Sequence, residues 1–436
     1  MKKYTSYKPS GVEWIGDIPE HWDNSYFKRY CNVKRGSSPR PIEDPKYFDD
    51  EGFYSWVRIS DVSSSNRYLE TTEEKLSELG SSLSTKMNKG DLFLSIAGSV
   101  GKPIITKIPC CIHDGFVWFQ NLKLNKEFLY YLFKNGQCFL GLGKMGTQLN
   151  LNTDTIGTIR IPIPSDNEQH QIVQFLDEKT EIIDKLISTK ERKIELLKEQ
   201  RTSLINQVIT KGLDPNVKMK GSGVEWIGEI PEHWETSKLG FYTTKIGSGS
   251  TPRGGSEVYV DSGIPFIRSQ NVHFEGLRLD DISFIDTETH NSMKGTIVKK
   301  NDVLLNITGG SIGRCCIVHL EDEMNINQHV SIIRTTKDLT PFFLNYILYS
   351  DIGQSQVVYN VSGGNREGLT IEGIRNFKII LPPILEQIKI VQYLDNRTKE
   401  IDDLMSLEQK KIEVLKEYRQ SLISEVITGK IDVRTN

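Results

Sequence analysis

The sequence has 436 residues, of which 37% are apolar and 25% charged, and its formal net charge is −3. At roughly 150 residues per domain this length suggests about three domains, and it excludes a small module held together by disulfides or metal. The composition excludes a disordered or fibrous chain. No apolar run approaches the roughly 18 residues of a membrane span, so we expect a cytoplasmic protein.

Charge and cysteine content narrow the function classes. No long segment carries more than two net positive charges. Non-specific phosphate binding needs many cations acting together, so any contact with nucleic acid must be local or shared with a partner. The six cysteines include the vicinal pairs 110/111 and 315/316 and no CxxC spacing, so we interpret them as small buried hydrophobes. The histidines have no metal-ligand spacing either, and we predict no metal site.

An internal repeat halves the chain. Residues Lys8–Trp22, KPSGVEWIGDIPEHW, recur at Lys220–Trp234 with 13 of 15 positions identical; we call these the repeat motifs. A longer block, Glu168–Asp214, recurs at Glu386–Asp432 with 26 of 47 positions identical. The chain therefore consists of two copies of one unit.

The longer block has the period of a helix. Its apolar positions step by four and three residues, the heptad seam of a coiled coil, and Gly212 and Gly429 are typical helix ends. Two surface helices, each packed on its own domain, would also fit, but so regular a seam favours two helices packed against each other, antiparallel. The seam residues are Ile183, Ile187, Lys190, Ile194, Leu197, Arg201, Leu204 and Val208 in the first copy and Ile401, Met405, Glu408, Ile412, Leu415, Arg419, Leu422 and Val426 in the second.

A pseudo-twofold centred on the repeat predicts which charges meet in the seam. Position 190 would lie opposite 419, and position 201 opposite 408. Arg201 would then pair with Glu408. Lys190 would face Arg419, which conflicts with the register unless Lys190 extends outward along its alkyl stem. We therefore predict an Arg201–Glu408 pair that fixes the register.

The stretches 23–165 and 235–383 have a different pattern. Short apolar runs rich in β-branched and aromatic residues are separated by Gly, Asn and Ser, which predicts strands, and helices are expected at Lys126–Asn135 and Pro341–Ser350. The predicted strands include Phe53–Ile59, Asp91–Ile96, Phe116–Phe119, Ile264–Ile267, Val303–Ile307 and Val330–Ile333. The predicted fold is α/β (α+β), with two mixed strand-rich domains separated by two long antiparallel helices. The segments are domains at 1–165 and 214–384 and helical regions at 166–213 and 385–436.

No motif predicts catalysis or a bound cofactor. Gly141–Gly146 fits GxGxxG but lacks the preceding strand and following helix of a dinucleotide or S-adenosylmethionine loop. Gly101–Lys102 lacks the upstream glycine of a P-loop, and Glu191–Lys193, which resembles part of a nuclease signature, lies in a predicted helix. We predict no catalytic residue and no cofactor bound by this chain.

Polar residues cluster instead on loops, at matching places in the two copies. Gly-Ser-rich turns can offer amides and a guanidinium to phosphate, and arginine, amide and carboxylate side chains read base edges. An ordinary surface role is open for any one residue, but the set changes chemistry between copies while the framework stays constant. The candidate DNA contacts are Ser37, Ser38, Arg40, Arg58, Ser60, Asp61, Ser99, Lys102, Lys144, Thr147 and Gln148 in the first copy and Ser250, Thr251, Arg253, Arg268, Gln270, Asn271, Ser311, Arg314, Asn365 and Arg366 in the second.

These features together resemble the DNA-specificity subunit of type I restriction-modification systems. The resemblance covers nearly the whole chain and is strongest at Gly11–Trp22, Ile161–Asp177, Gly223–Trp234 and Ile380–Asp395. It implies two target-recognition domains, each reading one half of a split asymmetric site in double-stranded DNA. The two antiparallel helices would act as a ruler that sets the unspecified spacer.

The resemblance also implies partners. Family members bind two modification subunits, which carry adenine methyltransferase chemistry and S-adenosylmethionine, and restriction subunits, which use ATP and magnesium. This chain would then be the non-catalytic subunit, in agreement with its lack of catalytic motifs and its nearly neutral net charge. Two alternatives stay open: a coiled-coil scaffold whose globules bind protein rather than DNA, and a stand-alone methyltransferase or nuclease.

Overall fold

The computed structural model describes residues 2–142, 151–362 and 368–434. By contacts the chain divides into two units, one of 1–191 with 410–436 and one of 192–409. Each unit therefore crosses the predicted segment boundaries and contains one globule with half of each long helix. The helices are α1 Ile59–Ser64, α2 Glu78–Ser82, α3 Lys126–Asn135, α4 Thr153–Gly157, α5 Asp166–Lys211, α6 Thr287–Ser292, α7 Pro341–Tyr349, α8 Asp351–Ser362, α9 Ile371–Arg375 and α10 Ile384–Ile427.

The first unit contains two main sheets. Its strands are β1 Tyr7–Pro9, β2 Asp17–Pro19, β3 Asp23–Tyr26, β4 Asn32–Arg35, β5 Tyr54–Val57, β6 Tyr68–Leu69, β7 Glu74–Leu76, β8 Thr85–Met87, β9 Leu92–Ser95, β10 Pro103–Thr106, β11 Cys110–Ile112, β12 Phe116–Gln120 and β13 Arg160–Ile163. The sheet orders are β4-β12-β9-β10-β6 and β7-β5-β11-β8, with β1-β2 and β3-β13 as separate pairs. Phe93 and Phe116 are fully buried in the cluster that joins the two main sheets.

The second unit repeats this arrangement. Its strands are β14 Met219–Gly221, β15 Glu229–Pro231, β16 Glu235–Lys238, β17 Thr243–Ser248, β18 Tyr259–Val260, β19 Ile264–Ile267, β20 Val272–His273, β21 Gly276–Leu277, β22 Ser283–Ile285, β23 Ile297–Val298, β24 Val303–Asn306, β25 Cys315–Ile317, β26 Met324–Ile326, β27 Val330–Thr335 and β28 Lys378–Leu381. The sheet orders are β17-β27-β24-β25 and β18-β22-β19-β26-β23. Four strands of each sheet have counterparts in the first unit: β17-β27-β24-β25 matches β4-β12-β9-β10, and β22-β19-β26-β23 matches β7-β5-β11-β8, whereas β6 belongs to the first unit alone and β18 to the second. The duplication seen in the sequence is therefore a duplication of topology.

Most predicted elements are present at nearly the expected bounds. Strand β19 and helix α3 have the bounds predicted, but β5 ends at Val57, two residues before the predicted end, because Arg58 begins the turn into α1. Helix α8 was not predicted, since its apolar residues follow no single face. All six cysteines are buried and free. Within the described ranges, the helices include none that is both long and apolar enough to cross a membrane.

The long helices pack antiparallel within each unit. In the first unit Arg419 of α10 forms an ion pair with Asp184 of α5. In the second unit Arg201 Nε lies 3.0 Å from Asp402 Oδ1. The later residue of α5 thus pairs with the earlier residue of α10, which shows that the two helices run in opposite directions. The buried seam positions are Ile183, Ile187, Leu197, Val208, Ile401, Glu408, Ile412, Leu422 and Val426, and the half-buried ones are Lys190, Ile194, Arg201, Leu204, Met405, Leu415 and Arg419.

The register differs from the predicted one by about a heptad. Arg201 binds Asp402 and donates to Tyr349 Oη at 2.7 Å, while Glu408 accepts from Lys193 Nζ at 3.0 Å. The predicted Arg201–Glu408 pair is therefore wrong. A shift of about one heptad keeps the same apolar faces buried, so the seam period alone does not choose the register. Contacts between the helix and the globule, such as the one to Tyr349, help to choose it.

Each repeat motif lies at the C-terminal end of a long helix. In the second unit the motif follows α5 directly, and the Trp234 ring packs against Gly212, whose φ is 72°. In the first unit the motif meets the other end of the chain, where Lys430 Nζ donates to the carbonyls of Ile15 at 2.9 Å and Asp17 at 3.0 Å. The C-terminal residues of the chain therefore complete the first unit.

Candidate nucleic-acid interface

A Gly-Ser-rich turn is pressed against a strand end in both copies. Gly36 N–H donates to Phe116 O at 2.9 Å, and a β-carbon on Gly36 would lie 2.2 Å from His113 O. Gly249 has the same arrangement, with a β-carbon position 2.1 Å from Ile326 O. Only glycine fits so close to another backbone. These glycines hold the candidate residues that follow them beside the end of β11 in the first unit and of β26 in the second.

The second shared element is a turn that begins with an arginine. Arg58 follows β5 and Arg268 follows β19, and their main-chain N–H groups donate to Asp61 Oδ2 at 2.7 Å and to Asn271 Oδ1 at 2.9 Å. The Asp61 and Asn271 residues are only 7% and 2% exposed. We correct their assignment as base contacts: these two side chains shape the turn, because their oxygens are already used to cap it.

In the first unit, both elements border one cleft of about 410 Å³. Its lining residues are Ser38, Arg40, Ile42, Trp56, Arg58, Ile59, Ser60, His113 and Asp114. Four of these are candidate DNA contacts, and the structure brings them together in this cleft. Asp114, Trp56 and His113 carried no signal in the sequence, because they belong to the cleft only through the pairing of β5 with β11.

Each cation of this cleft is paired with a carboxylate. Arg40 Nη2 lies 2.9 Å from Asp114 Oδ2, and Arg58 donates to both oxygens of Glu74, with Nη2 2.9 Å from Oε1. The Arg40 and Arg58 side chains are still 73% and 48% exposed. An exposed ion pair contributes little stability, so a guanidinium held this way can exchange its carboxylate for a phosphate or a base edge.

The loop after β9 contacts the arginine turn of the first unit. Ser99 Oγ and Ser63 Oγ lie 2.6 Å apart, and Lys102 Nζ donates to Ser63 O at 2.9 Å. Burial lowers the pKa of Lys102. Ser99 and Lys102 lie more than forty residues after Arg58 in the sequence, and the fold joins them to the arginine turn through Ser63 of α1.

The second unit has the corresponding contact made by different residues. Asn306 Nδ2 donates to Ser311 Oγ at 3.0 Å and to Ser269 O at 2.8 Å. Ser269 lies next to Arg268 in the turn Ser269–Asn271. The nearby Arg314 is half-buried. Both units therefore hold the same two loops together.

The cations of the second unit are less paired than those of the first. Arg268 Nη2 donates weakly to Asp281 O at 3.4 Å, and its Nε is buried without a hydrogen-bond partner among the described residues. Gln270 Nε2 donates to Asp281 Oδ2 at 2.9 Å. The exposed candidates on the preceding turn are Ser250, Thr251 and Arg253.

Five further candidates lie outside the described residues: Lys144, Thr147, Gln148, Asn365 and Arg366.

The fold and these sites define a protein with two copies of one loop-bearing, strand-rich domain attached to a shared antiparallel helix pair. Residues 19–196 and 231–417 match the family described as the type I restriction modification DNA specificity domain. The chain belongs to this family.

Individual relatives and solved structures are similar to this chain over nearly its whole length. The chain is 24% identical over 427 residues to the type I restriction enzyme MjaVIII specificity subunit of Methanocaldococcus jannaschii, covering 96% of this chain and 94% of that protein. Its fold is similar to that of a chain from a structure of a type I R-M system, with a TM-score of 0.74, 18% identity and coverage of 95% and 99%. It is also similar to the HsdS subunit from Thermoanaerobacter tengcongensis, with a TM-score of 0.53, 17% identity and coverage of 95% and 98%.

Proposed function

We propose that this chain is the DNA-specificity subunit of a type I restriction-modification complex. Each globule reads one half of a bipartite, asymmetric site in double-stranded DNA, and the helix pair sets the spacer. The observation that carries the proposal is the pair of homologous loop sets, which share their glycine and arginine framework but present different polar side chains. To read two half-sites of different sequence, the two domains need the same loop backbone with different hydrogen-bonding side chains.

The chemistry of the complex then belongs to its partners. Two modification subunits would supply S-adenosylmethionine and methyl transfer to adenine, and restriction subunits would use ATP and magnesium. The nearly neutral net charge of this chain fits a complex in which the partner subunits share the binding of DNA, since affinity from phosphate neutralisation needs many cations at once. This chain would contribute sequence recognition without a catalytic step of its own.

Exchange of one domain tests the proposal. We expect that replacing residues 23–160 with the corresponding domain of a relative changes one half-site and leaves the other half and the spacer unchanged. Single-molecule sequencing of methylated adenines in host DNA gives both halves and the spacer. The matched control replaces 235–383 and should change the other half alone. Changes in both halves after a single exchange would contradict independent domains.

A finer prediction concerns Arg58 in the first cleft. Arg58→Gln should weaken binding of the whole complex to its specific site by about 10- to 100-fold, since a bidentate base contact contributes about 1–3 kcal/mol of discrimination. Binding to unrelated DNA should change little. Glu74→Gln, which frees the guanidinium, should instead tighten binding to unrelated DNA. Titrations of labelled duplexes at fixed salt measure both effects.

The control for this prediction is Lys46→Gln. Lys46 is also an exposed, ion-paired cation, 2.7 Å from Asp44, but it does not line the cleft. Equal losses for Arg58→Gln on specific and unrelated DNA would assign Arg58 to phosphate contact instead of base reading.

A further inference from the structure

In the first unit, hydrogen bonds attach the globule helix α3 to the long helix α5 at two levels along the helices. The N–H of Asn125, which caps α3, donates to Gln169 Oε1 at 2.9 Å. Two turns further along both helices, Tyr131 Oη donates to Asp177 Oδ1 at 2.6 Å. Gln169 and Asp177 are eight residues apart on one helix, which separates the two attachment points by about 12 Å.

The second unit has the same two attachments at the repeated positions. Thr340 N–H, at the start of α7, donates to Gln387 Oε1 at 2.9 Å. Tyr346 Oη donates to Asp395 Oδ1 at 2.7 Å. Loop side chains differ between the copies, but these contacts between globule and helix do not, which indicates a role common to both halves.

The tyrosine contact of the first unit is reinforced by a cation. Arg67, whose side chain is 15% exposed, binds both Asp177 and Glu127, and its guanidinium carbon lies 5.1 Å from the centre of the Tyr131 ring. Burial and the bond to Asp177 raise the pKa of Tyr131, so its hydroxyl stays protonated and remains a donor. Hydrogen bonds to a charged, partly buried acceptor are stronger than neutral ones.

Two separated attachments fix an angle that one attachment leaves free. A globule of about 150 residues is about 30 Å across. If loss of the tyrosine hydrogen bond let the globule tilt on its helix by about 10°, its far edge would move by about 5 Å. This displacement exceeds the rise of about 3.4 Å per base pair.

We propose that Tyr131 with Asp177, and Tyr346 with Asp395, are positioning contacts that determine how strictly the complex selects its spacer length. They hold each recognition domain at a fixed tilt on its own helix, so that only one spacing of the half-sites presents both sets of bases correctly. This inference rests on the proposed function and adds a structural source for spacer stringency besides the length of the helices.

The test is the double variant Tyr131→Phe, Tyr346→Phe in the full complex with its modification subunits. Each phenylalanine keeps the aromatic ring, which is buried at position 131 and half-buried at position 346, so the packing of both domains is retained. In the first unit Arg67 also stays on Asp177. Methylation is measured on duplexes that carry the wild-type half-sites with the wild-type spacer or one base pair more or less. We expect the preference for the wild-type spacer to fall about tenfold, with unchanged half-site sequences.

Tyr130→Phe is the matched control, because Tyr130 lies in the same aromatic cluster and its hydroxyl makes no hydrogen bond to the residues that the structure describes. An unchanged spacer preference in the double variant would overturn the inference, and so would an equal loss of methylation at every spacer, which indicates a purely structural role. A wild-type complex that methylates no bipartite site would refute the proposed function itself, before any variant is compared.

Discussion

Gly249→Ala should disrupt the Gly-Ser-rich turn of the second unit and leave the corresponding turn of the first unit intact. The added β-carbon would lie 2.1 Å from Ile326 O and 2.3 Å from Asn327 O, far inside contact distance. Both are backbone atoms at the end of β26, so the turn or the strand must shift. Overpacking of this kind costs about 1–3 kcal/mol, and we expect methylation of the bipartite site to fall at least tenfold.

Gly247→Ala separates the loss of space from the mere loss of a glycine. Gly247 lies two residues earlier on β17, and a β-carbon there would meet nothing within 4 Å. We expect this variant to keep wild-type activity and a wild-type urea midpoint of unfolding, while Gly249→Ala lowers the midpoint. Equal behaviour of the two variants would show that the turn tolerates a shift and does not depend on the close approach.

Reversing one charge of the helix pair should destabilise the second unit, and reversing its partner should restore it. Arg201→Asp puts a second carboxylate beside that of Asp402. Asp402→Arg puts a second guanidinium group beside that of Arg201. Arg201 is 17% exposed and Asp402 47%, so solvent screens the pair in part, and we expect each single change to lower the free energy of unfolding by about 1–2 kcal/mol. The double variant should recover at least half of the summed loss.

A double-mutant cycle in urea measures this coupling. The comparison pair is Arg201→Glu with Glu408→Arg, which would compensate if the sequence-derived register were correct. We expect no recovery from that pair, because Glu408 binds Lys193 and Arg201 binds Asp402. Recovery in the Arg201–Glu408 cycle and none in the Arg201–Asp402 cycle would place the helices in the register predicted from the sequence.

Local sequence patterns were enough to locate the candidate loops but not to assign every residue in them. The Gly-Ser turn and the arginine turn were recognisable because both copies repeat them. The same pattern suggested that Asp61 and Asn271 contact bases, whereas both are buried and cap the turn. Whether a polar side chain points outward or caps its own backbone depends on the angle at which β5 or β19 enters the turn, and that angle is a property of the sheet.

The sequence by itself determined the duplication, the two long helices, the face that each helix buries and most strands, because periodicity and turn residues are local properties of the chain. The tertiary structure alone decided the helix register, the division of each helix between two units and the tyrosine attachments to Asp177 and Asp395. These features join residues far apart in the sequence. Several arrangements would bury similar apolar area, and the choice among them depends on polar contacts such as Arg201 with Tyr349, which exist only after the globules have folded onto the helices.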